Sequence, residues 1–177
     1  MRYKIQPVWR ADGPARGRFR EFYQCDVDVL GSQSMVVEAE LIAAASDALA
    51  ALGFKDFTVR INHRQVLTGI LDQAGVEREK HDDALVALDK MDKAGPEGVA
   101  RELNERGIVD GSAVKLMRFF QGLAGAQHAL DLVDLDAADA RAAYNADVLG
   151  RLVEFIGGHE IGASGVDDLR QILQFAK

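Results

Sequence analysis

Six residues in one short stretch carry the chemistry for an anionic, nitrogen-bearing ligand: Arg18, Arg20, Phe22, Gln24, Asp26 and Asp28. Successive side chains of a strand point to opposite faces, so an extended chain puts all six on one side. Guanidinium groups bind phosphate oxygens through paired donors, whereas carboxylates suit an ammonium group. Phe22, between them, offers a stacking surface for a base, worth about 1–3 kcal/mol by analogy with single-strand binders. Phosphate chemistry at one end and ammonium chemistry at the other is the order an aminoacyl adenylate requires. A solvated sheet face is the competing explanation. The alternate residues Phe19, Glu21, Tyr23, Cys25, Val27 and Val29 read as the core side, with Cys25 a small buried residue.

The elements that must hold this row follow from local pattern. Residues 2–11 and 18–30 alternate apolar and polar, and the turn-rich Asp12-Gly13-Pro14-Ala15-Arg16-Gly17 joins them, which predicts an antiparallel hairpin. A helix is predicted over about 35–52, ending before Gly53, and a third strand over 57–61. Helical periodicity then predicts helices near 63–74, 77–93, 96–106, 110–123, 136–156 and 166–175. The breaks fall at Gly75, Gly95-Pro96, Gly107 and Gly157-Gly158. The fold class is α+β, with a strand-bearing segment over 1–61 and a helical one over 62–177. No internal repeat or low-complexity tract is evident.

Composition narrows the function. The chain has 177 residues, and its formal charge of -7 argues against a protein that coats nucleic acid. Residues 1–20 nevertheless hold six basic side chains and one acidic, against 15 basic and 27 acidic in the rest. A short basic segment on an acidic body fits a local anion site. The single cysteine excludes a disulfide framework, and no metal spacing is present. No apolar run suits a membrane span or a signal peptide, so a cytoplasmic location is expected. His63, at a strand-to-helix junction, reads as a structural cap; His81, His128 and His159 receive no role.

Val8-Trp9-Arg10-Ala11-Asp12, the glycine-bearing loop and the run from Gly17 to Asp28 resemble motif 2 of the histidyl-tRNA synthetases, a class II family. The resemblance implies that Arg10 holds the ATP α-phosphate and the reacting carboxylate, as the catalytic residue. It further implies that Asp12, Arg18 and Phe22 bind ATP, Phe22 by stacking on adenine, and that Gln24 and Asp28 hold histidine. Gly13 stands where the family usually has arginine, and Asp12 and Asp28 where glutamate is common. Residues 60–64 and 87–99 are similar to the start of the helical insertion of these enzymes, which leans over the tRNA acceptor stem. Lys90 and Lys93 would then face tRNA phosphates; a solvated helix face of mixed charge explains them equally well.

The fold implied is the motif 2 hairpin and part of a class II synthetase sheet with a helix, followed by a mostly α-helical insertion domain. The partners implied are histidine, ATP with Mg2+, and tRNA(His), with a homodimer for the full-length enzyme. A non-catalytic regulatory or tRNA-sensing subunit is the alternative. Motif 1, motif 3 and the arginine-glycine-leucine-x-tyrosine-tyrosine loop are not found, and losing one preorganised donor costs about 3–4 kcal/mol in known enzymes. The chain by itself is therefore expected to show little or no histidine-dependent pyrophosphate exchange. Robust exchange by the purified chain would overturn this expectation.

Overall fold

The structure is a computed structural model that describes residues 3–11, 13, 15–131 and 138–176, the side chains of 92, 125–131, 138 and 139 excepted. Among the described residues the class is α+β: one two-stranded antiparallel sheet and seven α-helices. Strands β1 (Val8–Trp9) and β2 (Glu21–Phe22) pair with Val8 opposite Phe22 and Trp9 opposite Glu21. The Arg10 N–H donates to the Arg20 carbonyl at 2.9 Å, and at the far end the Arg18 N–H donates to the Ala15 carbonyl at 2.9 Å. Gly17, at φ +78°, supplies the left-handed residue that this turn requires.

Helix α1 (Met35–Ala51) begins where the Ser34 hydroxyl accepts the Val36 N–H. Its alanine-rich surface buries Ala39, and it packs on α7. The remaining helices are α2 (Arg64–Ala74), α3 (His81–Leu88), α4 (Met91–Glu105), α5 (Asp110–Asp131), α6 (Ala138–Ile156) and α7 (Glu160–Phe175). One hydrophobic cluster joins α2 to α7 through Val66, Leu71, Leu103, Leu116, Ile156 and Val166, each at most 2% exposed.

Several predicted bounds move. Residues 57–61 form no strand, because a strand exists only as a hydrogen-bonded pair and these residues find no partner among the described ones. The predicted helix 77–93 is divided into a 3₁₀ turn (Arg78–Lys80), α3 and the first turn of α4. Gly95, at φ 67° and ψ 174°, then kinks α4 ahead of Pro96, where the sequence places a break. Helix α5 continues to Asp131 rather than ending near 123, and α7 starts at 160 rather than 166. Gly162 and Gly165, ahead of the helix predicted from 166, lie inside α7 as points of close approach. A Cβ on Gly162 would sit 2.7 Å from Ile156 Cγ2 and 3.0 Å from the Gly69 Cα; one on Gly165 would sit 2.8 Å from His63 Nδ1.

Helices α2 and α7 run antiparallel, and each is capped by its own histidine, which also reaches the other helix. His63 Nδ1 accepts the Gln65 N–H at 3.2 Å while its Nε2 reaches Asp168 on α7 at 3.3 Å. His159 Nδ1 accepts the Gly162 N–H at 3.1 Å while its Nε2 meets Asp72 on α2 at 2.9 Å. The cap is served by an unprotonated Nδ1 and the carboxylate by Nε2–H, so the neutral ring satisfies both. His63-x5-Gly69-x2-Asp72 and His159-x5-Gly165-x2-Asp168 are one pattern used twice. The two helix starts thus share three positions and one pair of contacts.

Ion pairs tie α3 to α4. Glu102 accepts from Lys90 at 2.7 Å and from Arg106 at 2.8 Å, and Arg106 also reaches Asp83 at 2.9 Å. The hydrogen bonds from Lys90 and then Arg106 hold the Glu102 carboxyl below its ordinary value, and Glu102 and then Asp83 push Arg106 up.

His159→Ala removes a cap and one partner of Asp72, so it is expected to lower stability by about 1–2 kcal/mol in urea unfolding. His159→Asn, which keeps a capping acceptor, should recover part of the loss; equal stability of wild type and the alanine variant would refute the cap. A depressed carboxylate contributes stability that is complete above its ordinary value of 4.5 and is lost as pH falls through the lower value. Glu102→Gln should therefore flatten the acid limb of the stability profile below that value, and an unchanged limb would show that the pair contributes nothing.

Candidate functional site

The ladder of the hairpin decides which expected residues can meet. Val8 opposes Phe22, and Arg10 exchanges a backbone hydrogen bond with Arg20, so Arg10 shares the even face of β2. The structure brings three of the expected residues together on that face. The Arg10 guanidinium carbon lies 5.4 Å from the Phe22 ring centre, within cation–π range, and Arg10 Nη2 donates to Gln24 Oε1 at 2.9 Å. The Gln24 amide nitrogen in turn donates to Asp26. A cation, an aromatic face, an amide and a carboxylate thus form one continuous row, with Phe22 half-buried and its neighbours exposed.

Other expected residues stand apart. Arg18 sits at the Gly17 turn, and Asp28 lies further along an extended, exposed stretch. Neither makes a hydrogen bond or ion pair to Arg10, Phe22 or Gln24 among the described residues. Asp12 lies outside the described residues, as does Pro14 beside it. Lys90 is engaged with Glu102, and Lys93 is exposed on the first turn of α4. The side chain of His128 is outside the described set.

Two expectations need correction. The odd face of β2 is not a core: Phe19 is 69% exposed and Tyr23 73%, and Cys25 is exposed. An apolar strand face becomes interior only when a second layer covers it, and among the described residues no element does so. His159 and His81, assigned nothing, both reach Asp72, at 2.9 Å and 3.4 Å. The signal for His159 was present in the sequence, because a polar residue directly before a periodic run is the position of a helix cap. Asp26, read with Asp28 as a carboxylate for an ammonium group, accepts a hydrogen bond from the Gln24 amide.

Comparison with known proteins identifies the family. The family described as histidyl-tRNA synthetase matches residues 3–172. A histidine–tRNA ligase of Gloeobacter violaceus is 53% identical over 123 residues, 70% of this chain and 26% of that protein. The ligase of Cytophaga hutchinsonii is 39% identical over 171 residues, 97% of this chain and 33% of its own length. The crystal structure of histidyl-tRNA synthetase from Nostoc sp. PCC 7120 superposes with a TM-score of 0.74 at 27% identity, over 99% of this chain and 36% of that one. The chain spans about a quarter to a third of the length of these relatives. Matched from residue 3 to residue 172, through hairpin and helical body alike, the chain belongs to the histidyl-tRNA synthetase family.

Proposed function

We propose that this chain supplies the motif 2 wall of a histidine-activating site in residues 1–61 and a helical insertion in residues 62–177. The enzyme of which it forms part is a histidine–tRNA ligase. The observation that carries this reading is the row Phe22, Arg10, Gln24: a stacking ring, a phosphate-binding cation and an amide held in contact on one strand face. In the reaction a carboxylate oxygen of histidine attacks the α-phosphorus of ATP in line. The new P–O bond forms as the bond to the bridging oxygen breaks and pyrophosphate leaves. A ribose hydroxyl of tRNA(His) then attacks the carbonyl carbon, and AMP departs.

The roles follow from charge and reach. Arg10 stabilises the negative charge that grows on the α-phosphoryl oxygens, where a positioned donor contributes most. Its guanidinium lies over the ring face that a purine would use, so base stacking on Phe22 turns Arg10 toward the phosphates. Arg18, next to the Gly17 turn, addresses the outer phosphates, and Asp12 is assigned to ATP as well; Gln24 and Asp28 receive the histidine side. Mg2+ accompanies ATP as its counter-ion, and among the described residues no cluster of three ligating side chains offers it a separate place. Lys90, which also holds Glu102, and Lys93 are assigned to tRNA phosphates. A cytoplasmic homodimer is the assembly this reading requires, and among the described residues no helix is long and apolar enough to cross a membrane.

Trp9 is the lone tryptophan and adjoins Arg10, so its emission reports on the hairpin directly. ATP titrated into the chain is expected to shift that emission saturably. Arg10→Ala and Phe22→Ala should each weaken binding on the order of tenfold, the loss of one charged hydrogen-bond set or one stacked base. Saturation that is identical in both variants would remove these residues from the ATP site.

A further inference from the structure

The histidines at the crossing of α2 and α7 take no part in the chemistry of the hairpin, yet each makes contacts that depend on where its protons are. His63 Nδ1 accepts the Gln65 N–H at 3.2 Å and His159 Nδ1 accepts the Gly162 N–H at 3.1 Å, so neither Nδ1 can carry a proton while it caps its helix. Nε2 faces Asp168 at 3.3 Å in the first ring and Asp72 at 2.9 Å in the second. Both rings also lie close against glycine. A Cβ on Gly165 would stand 2.8 Å from His63 Nδ1, and Cβ atoms on Gly162 and Gly69 would stand 3.3 and 3.4 Å from His159 Nδ1. A proton placed on either Nδ1 therefore points at another donor.

The charged groups around the rings decide what a second ring proton does. The neutral ring already donates through Nε2–H, so protonation adds attraction to the aspartate but no new hydrogen bond to it. Asp72 is shared: Arg78 Nη2 lies 3.6 Å from it, so part of its charge is already met, and His81, at 3.4 Å, competes for the rest. Asp168 has 28% of its side chain in solvent, which weakens its pull. Among the described residues no charged group of α1, α5 or α6 pairs with these histidines or aspartates, and α6 contributes Ile156 to the contact. Against the added attraction stand a lost cap and a positive charge at a helix N-terminus, where the positive end of the dipole lies.

We propose that His63 and His159 form a pH-sensitive latch on the crossing, closed while both rings are neutral and released at both ends when they take up protons. His63 begins α2 directly after residues 57–62, and α1 packs on α7, so the latch holds the place where the strand-bearing segment joins the helical body. The unfolded chain binds protons that the closed latch excludes, so stability falls as pH falls. Imidazole is the ordinary side chain that changes charge between about pH 5 and 8. The Glu102 carboxyl, held below 4.5, acts outside that window. The latch is independent of the ligand proposed for the hairpin.

The test is urea unfolding of the full chain at about pH 8 and pH 6, on either side of the free imidazole value of about 6.5. Each ring protonated only in the unfolded chain multiplies the unfolding constant by about fourfold at the lower pH, and the pair by roughly fifteenfold. His63→Asn with His159→Asn keeps capping acceptors that take up no proton, so the double variant is expected to be less stable at the higher pH but to lose that factor. His81 and His128 are present in both proteins and cancel in the comparison. A pH response reduced by less than about fourfold would overturn the proposal, as would a wild-type chain that gains stability on acidification. Hydrogen exchange in the wild type gives a second reading that needs no variant. Corrected for intrinsic rates, protection of the Gln65 and Gly162 amides should fall on acidification by more than that of Leu116 in the core, and equal behaviour at the three sites would also overturn the latch.

Discussion

The antiparallel crossing of α2 and α7 is the contact on which the helical body depends. Two helices approach this closely only where side chains are absent, and Gly69 against Gly162 provides the point. An added methyl group there would meet backbone rather than a yielding side-chain tip, and overpacking of that kind costs about 1–3 kcal/mol. Each end of the crossing is then locked by a histidine that caps its own helix and reaches an aspartate of the other. Val66, Ile70, Val166 and Leu169 meet at the same crossing and belong to the one core that α3 to α6 complete. The crossing therefore sets where chain segments far apart in sequence come together, and α5 and α6 pack against it.

The hairpin obeys different energetics. Its ladder covers two residues on each strand, and a lone two-stranded hairpin is marginal in water. What adds to the ladder is the row of side chains itself: an exposed cation–π contact is worth about 0.5–1 kcal/mol, and a charge-assisted hydrogen bond somewhat more. Arg10 makes one of each, to Phe22 and to Gln24. The residues proposed to bind ligand are thus also those that hold the strands in register. Trp9, Phe19 and Tyr23 stay largely exposed on this segment. Such an apolar surface suits burial against further structure more than contact with water.

The legible part of the sequence was the part governed by local rules. Strand parity alone placed Arg10's contacts Phe22 and Gln24 on one face with Asp26, because period two needs no knowledge of the rest of the fold. Ser34 and Gly53 bounded α1 closely, since caps are decided within one turn. What was not legible depended on distant partners. Residues 57–61 look like a strand by composition, yet pairing decides a strand. Phe19 and Tyr23 look like core by parity, yet a covering layer decides a core. Gly162 and Gly165 fall ahead of the helix predicted from 166, yet they lie within α7 where α2, about a hundred residues earlier, comes too close for a side chain. His63 was read as a cap and is one; His159 plays the same part and was passed over, because glycines on both sides hid the helix it starts.

Charge distribution shapes how the hairpin meets a ligand. A protein with net charge -7 repels polyanions at long range, and screening over roughly 10 Å at moderate salt confines any attraction to places where cations cluster. The hairpin segment is one such place, with six basic side chains and one acidic in residues 1–20. Several cations of the helical body are engaged internally: Lys90 and Arg106 on Glu102, Arg170 on Asp167, Lys80 on Asp83. This arrangement gives selectivity without high overall affinity, because an anion gains little by touching the body at random and gains most where two or three positive groups are aimed at the same point. A protein that must take up a phosphate-bearing ligand at a chosen place, and release it, is better served by this distribution than by a uniformly basic surface.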